Sequence, residues 1–385
     1  MDKDSGIRSA RFDPLEFCVP GLRALKPYEP GKPISELERE LGISDIVKLA
    51  SNENPLGPSP RALAAMHHAI AEVALYPDGN AHALKQALAV HHGIAPERIV
   101  VGSGSDHLIE LVARAFLAAG RSAVVAQYGF AIYAIVARAA GAELRIAAAR
   151  SPSDSREPYG HDPQTLRDAV DEATRVVFLA NPNNPTGTWL RRPELEALLG
   201  AIPPDTIVVL DEAYCDYVAP FEREYADSRA LLDAYPNLVV LRTFSKAYGL
   251  AGIRAGYALA DPMVADLLNR VRLSFNPSSV AQAGAVAALA DRDHLKRTVE
   301  HNHGELRRLA EGLRKLGLAC IPSVCNFVAA DVGRDGRELF RALLGEGIIT
   351  RPLDGYGLPR HLRFSVGLAE QNERLMGALG RILAQ

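Results

Sequence analysis

The stretch from Val239 to Tyr257, VVLRTFSKAYGLAGIRAGY, places a lysine just past an apolar run that reads as a strand. Lys246 directly follows Ser245 and stands three positions after Thr243, with Arg254 eight positions further on. The lysine amine can form an imine with an aldehyde, and the two hydroxyls and the guanidinium can hold a phosphate. That combination suits an anionic ring cofactor. A lysine taken singly is most often a solvated surface residue, so its neighbours carry the weight of the reading.

Two further stretches follow predicted buried strands. NPNNPTG, Asn181 to Gly187, offers the Asn184 amide in a turn held by prolines and a glycine, and LDEAY, Leu210 to Tyr214, offers Asp211 where an apolar strand ends. Beside a pyridine ring such a carboxylate keeps the ring nitrogen protonated, so that electrons from a breaking substrate bond can drain into the ring. Taken one at a time, a capping role for Asp211 and a plain tight loop for NPNNPTG are the better readings. A fourth stretch, VVGSGSDHLIELV, is a strand, a glycine-rich turn and a helix. Gly102, Gly104, Ser105 and Asp106 there could cradle a phosphate with backbone N–H groups and the helix dipole. A dinucleotide fingerprint would need Gly or Ala where His107 stands and an acidic residue near Ala126-Gln127, and it fails on both counts.

The elements that must position these residues alternate along the chain. RIVV, SAVVA, ELRIAAA, RVVFLA, TIVVLDE, NLVVL and GIRAGYALA are continuous apolar runs, most of them separated by helical stretches. That pattern predicts an α/β domain with a mostly parallel sheet covered by helices on both faces. Ser59-Pro60 should open a helix, with serine as cap and proline at the first helical position. Residues up to about Pro33 read as an extended, proline-rich arm. Long helices followed by the short strands LACIP, NFVAADV and HLRFSV predict a smaller α+β domain at the C-terminus. The expected division is 1–50 for the arm and the start of the small domain, 51–270 for the large domain and 271–385 for the small one, with a ligand crevice between the two.

With these sites in this order at these strand ends, the chain resembles the fold type I aminotransferases that use pyridoxal phosphate, and within them the histidinol-phosphate aminotransferase family. KPYEPGK, SNENPLGPSP, LYPDG, GSGSD, NPNNPTG, LDEAY, RTFSKAYGLAGIRAGY, CNFV and ITRP…HLRFSVG carry the resemblance over nearly the whole chain. It implies that Lys246 is the Schiff-base lysine, that Asp211 pairs the pyridine nitrogen, and that Asn184 and Tyr214 bond the ring hydroxyl. It assigns the phosphate to Ser105, Asp106, Thr243, Ser245 and Arg254, with Tyr76 reaching in from a second subunit of a homodimer. Phe130 falls over the ring face, where many relatives have tyrosine, and Tyr128 is the other aromatic available for it. Substrate binding maps onto Arg351, Arg363, Tyr28 and Asn54.

A guanidinium offers the same bidentate fork to a carboxylate or a phosphate. One pair of arginines could therefore serve histidinol phosphate in one half-reaction and glutamate or 2-oxoglutarate in the other, which is the ping-pong exchange the family implies. A surface ion pair competes for Arg351, whereas Arg363 lies inside an apolar strand. Threonine-phosphate decarboxylase and an aromatic amino-acid aminotransferase are the neighbouring readings. A cofactor-binding regulator would bring a basic helix-turn-helix segment, and neither end of the chain has the charge for one.

A formal net charge of -3 gives no electrostatic reason to expect nucleic acid or an anionic membrane as partner. No stretch approaches the roughly 20 apolar residues of a membrane span. Four cysteines without a C-x-x-C pair suit a reducing compartment, and the mixed-charge N-terminus has no secretory pattern, so a cytoplasmic protein is expected. The paired histidines His67-His68 and His91-His92 lack the i, i+4 spacing with a third ligand that a helical zinc site would show, and no metal is expected.

Overall fold

The computed structural model describes residues 13–27, 30–226 and 228–384. A short strand, β1 (Val47–Lys48), precedes the large domain, whose strands are β2 (Ile99–Gly102), β3 (Ser122–Ala126), β4 (Glu143–Ala147), β5 (Thr174–Ala180), β6 (Ile207–Asp211), β7 (Leu238–Thr243) and β8 (Gly256–Leu259). They form one seven-stranded sheet in the order β2-β8-β7-β6-β5-β3-β4. From β7 through β6, β5 and β3 to β4 the pairing is parallel, and β8 runs antiparallel to both β7 and β2. The central strands are buried at every position but Arg175 and Arg242 because helices cover both faces, and apolar clusters lie on either side of the sheet. Each Val, Leu or Ile so enclosed contributes about 1.5–3 kcal/mol.

Ser59 caps the helix Pro60–Ile70 by accepting from the N–H groups of Arg61 and Ala62, while its hydroxyl donates to Asp291 at 2.5 Å. The helix Ser279–Ala290 packs against that helix and against His82–His92. Ala281, Ala285, Ala288 and Leu289 thereby join the core under the large sheet. The division expected at residue 271 thus falls ahead of a helix that shares the large domain's core.

The small domain contains β9 (Ala319–Cys320), β10 (Phe327–Asp331), β11 (Ile348–Ile349), β12 (Arg351–Pro352) and β13 (His361–Ser365). Four of them form an antiparallel sheet in the order β12-β13-β10-β9, and β11 pairs in parallel with β1. The long helix Arg292–Lys315 contributes Leu309 and Leu313 to the small-domain core, with Leu375 and Leu379 from the last helix.

Three helices of seven or more residues lie where the sequence reading assigns none, Ile34–Leu41, Ser228–Ala234 and Pro262–Val271, as do the four-residue helices Pro14–Phe17 and Cys215–Val218. The strand expected from Gly252 starts only at Gly256. Ala251–Ile253 form a 3-10 turn and Arg254 adopts the left-handed conformation, with φ at 56°. That turn reverses the chain, and β8 pairs back against β7 through Thr243 and Gly256.

Candidate active site

The carboxyl ends of β5, β6 and β7 open into a cleft of about 210 Å³ at the junction with the small domain. Asp211 is the last residue of β6 and Thr243 the last of β7, so both leave the sheet at one rim, where ligands gather in folds of this kind. Lys246 and Arg254 belong to the loop that joins β7 to β8, which brings the amine and the guanidinium to one side of the cleft.

Among the residues singled out in the sequence, Lys246, Asp211, Tyr214, Asn184, Thr243, Ser245, Arg254, Ser105, Asp106, Phe130, Arg351 and Arg363 all line this cleft. Tyr76 does not: its ring is 80% exposed and stacks on Phe275, with centroids 4.3 Å apart. Tyr128 packs instead with Tyr159, Leu353 and Leu358, so of these two aromatics it is Phe130 that lines the cleft. Tyr28 lies outside the described residues. Asn54, expected at the substrate, is not among the residues lining this cleft; its amide donates to the carbonyls of Ala247 and Gly57 and to Thr298. It fastens the loop behind Lys246, and Asn52, two residues earlier, lies at the cleft wall.

The Lys246 amine donates to the Ser51 carbonyl at 3.3 Å and stands 5.7 Å from the centre of the Tyr214 ring. Burial lowers its pKa to about 8, helped by the positive charge of Arg363. Asp211 moves the other way. Burial raises its carboxyl to about 6, against the pull of hydrogen bonds from Tyr133 and the Ala213 N–H. The Tyr133 hydroxyl donates to Asp211 Oδ2 at 2.8 Å, and its ring stacks on Phe178 with centroids 5.1 Å apart and planes nearly parallel. This orienting partner is buried, and its reach to Asp211 depends on strand packing that spacing does not reveal. The Tyr214 hydroxyl accepts from Asn52 at 2.9 Å, and burial pushes its pKa up.

The anion cradle combines a helix N-terminus with side chains. Gly104, with φ at 84°, precedes the helix Ser105–Phe116, whose N-terminus opens into the cleft. A Cβ at Gly104 would sit 2.5 Å from Arg254 Nη2, so only glycine lets the guanidinium close over the turn. Arg254 also donates to Ser245 Oγ at 3.2 Å and pairs with Asp106 at 3.4 Å. Helix dipole, guanidinium and two hydroxyls converge there on a seat for a dianionic group. With the amine, the carboxylate and the Phe130 ring around the same space, the donor set fits pyridoxal phosphate.

At the small-domain wall, Arg351 and Arg363 are register partners on β12 and β13. Arg363 donates to the Ala50 carbonyl at 2.7 Å and to the Asn184 side-chain oxygen, and its guanidinium lies 5.1 Å from the centre of the Phe327 ring. Among the described residues no group of three or more His, Cys, Asp or Glu is placed to hold a metal ion, and no helix is long and apolar enough to cross a membrane.

Comparison with known proteins places this arrangement in context. A family model described as aminotransferase class I and II matches residues 44–379. The chain is 49% identical over 375 residues to histidinol-phosphate aminotransferase 2 of Pseudomonas fluorescens, covering 97% of this chain and 99% of that one. It is 51% identical over 368 residues to the protein of the same name from Methylococcus capsulatus, covering 95% and 98%. The crystal structure of histidinol-phosphate aminotransferase from Sinorhizobium meliloti in complex with pyridoxal-5'-phosphate superposes with a TM-score of 0.85 at 33% identity, over 97% of this chain and 98% of that one.

Proposed function

The chain belongs to the aminotransferase class I and II family, and from that premise we propose that it exchanges an amino group between histidinol phosphate and 2-oxoglutarate, with pyridoxal phosphate as cofactor, in histidine biosynthesis. The observation that carries the substrate reading is the pair of register partners Arg351 and Arg363, facing the same cleft as Lys246. Two guanidiniums at that wall suit the phosphate of histidinol phosphate in one half-reaction and a carboxylate of glutamate in the other.

Bound pyridoxal phosphate supplies an aldehyde that condenses with amines and a ring that takes up electrons from the substrate carbon. Lys246 would hold it through its amine and, once an incoming substrate amine displaces it, would serve as the base that moves the substrate's α proton. A pKa near 8 leaves a useful fraction of that amine neutral at physiological pH. Asp211 would hold a proton on the ring nitrogen, with Tyr133 fixing the carboxylate. Asn184 and Tyr214 would face the ring hydroxyl and Phe130 the ring plane. Ser105, Asp106, Thr243, Ser245 and Arg254 would hold the phosphate.

A cytoplasmic homodimer completes the reading. Ile70, Val73, Leu75, Tyr76, Leu273 and Phe275 are exposed apolar side chains on neighbouring stretches of the large domain, a surface a second copy would cover. Such a dimer would take Tyr76 of one protomer to the phosphate seat of the other. The deciding experiment loads purified protein with pyridoxal phosphate, follows its visible absorbance on titration with histidinol phosphate, and then assays glutamate after adding 2-oxoglutarate. A spectral change with stoichiometric glutamate supports the proposal. Comparable kcat/KM on phenylalanine would redirect it to an aromatic aminotransferase, and carbon dioxide from threonine phosphate to a decarboxylase.

A further inference from the structure

Asn52 holds a left-handed backbone, with φ at 55°, while being 1% exposed. Non-glycine residues carry such strain where the surroundings over-determine it. Here they do. The Asn52 N–H donates to Ser365 Oγ at 2.9 Å, the Ser365 hydroxyl donates to Asn52 Oδ1 at 2.9 Å, and the Asn326 amide donates to the Asn52 carbonyl at 2.9 Å. The remaining group, the side-chain NH₂, is directed at the Tyr214 oxygen at 2.9 Å.

This arrangement decides what Tyr214 can do. A phenol oxygen that accepts from an amide keeps its own proton for a different partner. Tyr214 lines the cleft, so its O–H is left to donate there. The clamp on Asn52 comes from the small domain, because Ser365 lies two residues beyond Arg363 on β13, on the same face of the strand. Neighbouring contacts stitch the same segment down: Ser365 N–H to the Leu49 carbonyl at 2.9 Å, Arg363 to the Ala50 carbonyl, and Lys246 to the Ser51 carbonyl. Residues 49–52 therefore tie the strand that carries the anion-binding arginine to the tyrosine and the lysine of the large domain.

We propose that Asn52 is a positioning residue, whose amide holds Tyr214 as a hydrogen-bond donor aimed at the ring hydroxyl of the cofactor. The inference rests on the cleft being the pyridoxal-phosphate site. A donor aimed at that ring oxygen draws negative charge from it, and without the donor the charge left on the oxygen holds a neighbouring proton more firmly. The pH midpoint of the visible absorption of the loaded protein then rises. One hydrogen bond of ordinary net strength corresponds to roughly half to one pH unit.

The test uses full-length protein loaded with pyridoxal phosphate and reads that midpoint in the unchanged chain, Asn52→Gly, Tyr214→Phe and the double variant. Glycine takes the left-handed backbone without strain, so Asn52→Gly removes the amide and keeps the turn. The expected result is an upward shift of roughly half to one unit in Asn52→Gly and no further shift when it is added to Tyr214→Phe. An unshifted midpoint in Asn52→Gly, or an equal shift in both backgrounds, overturns the proposal. Should Asn52→Gly fail to fold, Ser365→Ala, which loosens the clamp alone, is expected to shift the midpoint in the same direction, and its failure to do so overturns the proposal equally. Absence of a titrating visible band in the unchanged protein is a separate outcome, which overturns the cofactor reading itself.

Discussion

Arg351 stands directly opposite Arg363 across the β12–β13 ladder, and both side chains line the cleft that holds Lys246. Like charges in that relationship destabilise a ladder, and an anion between them relieves the repulsion. Phosphate or sulfate should therefore raise the Tm of the apoprotein, and Arg351→Gln should lose much of that gain. Arg351→Gln should also raise KM for histidinol phosphate roughly 10- to 100-fold, the worth of one charge-assisted contact, with a smaller change in kcat. Arg363→Gln should cost more, because the Ala50 carbonyl and Asn184 lose their donor as well. Steady-state kinetics on both variants check the ranking, and an unchanged KM in Arg351→Gln contradicts it.

Lys246 provides a pH signature. The neutral amine is the form that reacts with an aldehyde, so the rate at which apoprotein takes up pyridoxal phosphate should climb about tenfold per pH unit and level off near the lowered pKa of about 8. A lysine at its ordinary value of 10.5 would keep climbing. Because the unfolded chain holds this proton up to the ordinary value and the folded chain releases it near 8, the residue's contribution to stability rises with pH across that window. Stopped-flow absorbance from pH 6 to 10 reads the rate. Lys246→Ala should give no borohydride-fixed adduct.

Asp211 should show the converse. Its carboxyl rises from 3.8 to about 6 on burial, so the folded apoprotein holds the proton more tightly than the unfolded chain, and stability falls as pH rises through that interval. Asp211→Asn should leave the apoprotein at least as stable as the unchanged chain at pH 7, by at most about 3 kcal/mol, and the difference should vanish below about pH 4. Turnover should fall by at least two orders of magnitude, because a neutral amide cannot hold a proton on the ring nitrogen. Thermal melts of apoprotein across pH check the first part, and a variant that melts lower at pH 7 contradicts it.

The features legible in the sequence share a physical origin. Asp211 and Thr243 end continuous apolar runs, and Lys246 and Asn184 follow such runs, so burial on both faces announces the rim of the sheet in the sequence itself. Gly104 and Ser105 are visible because a strand, a glycine turn and a helix are local events. Residues whose role depends on contacts distant in sequence were not legible. Tyr133 reads as the second aromatic of the segment that supplies Phe130, and nothing in its spacing announces that it meets Asp211 from 78 positions away. Asn52 and Asn54 are alike in the motif SNEN, and the left-handed turn at Asn52 decides which one faces the cleft. The helix Pro262–Val271 does carry local start signals, since Asp261 caps it and Pro262 opens it.

Gly104 allows the phosphate seat to be tested without touching any side chain that would contact the phosphate. Alanine there must either hold a φ of 84° or shift the turn, and its Cβ would press on the Arg254 guanidinium at 2.5 Å. Strain alone costs about 1–3 kcal/mol. Gly42→Ala isolates that component, since Gly42 has φ at 64° beyond the helix Ile34–Leu41 and a Cβ there meets nothing within 4 Å. Both variants should lose Tm, whereas only Gly104→Ala should weaken pyridoxal-phosphate binding, by roughly 10- to 100-fold if one charge-assisted contact is displaced. Equilibrium dialysis with excess cofactor measures the difference. Equal affinity in the two variants would mean that Arg254 and the turn before Ser105 do not act as one seat.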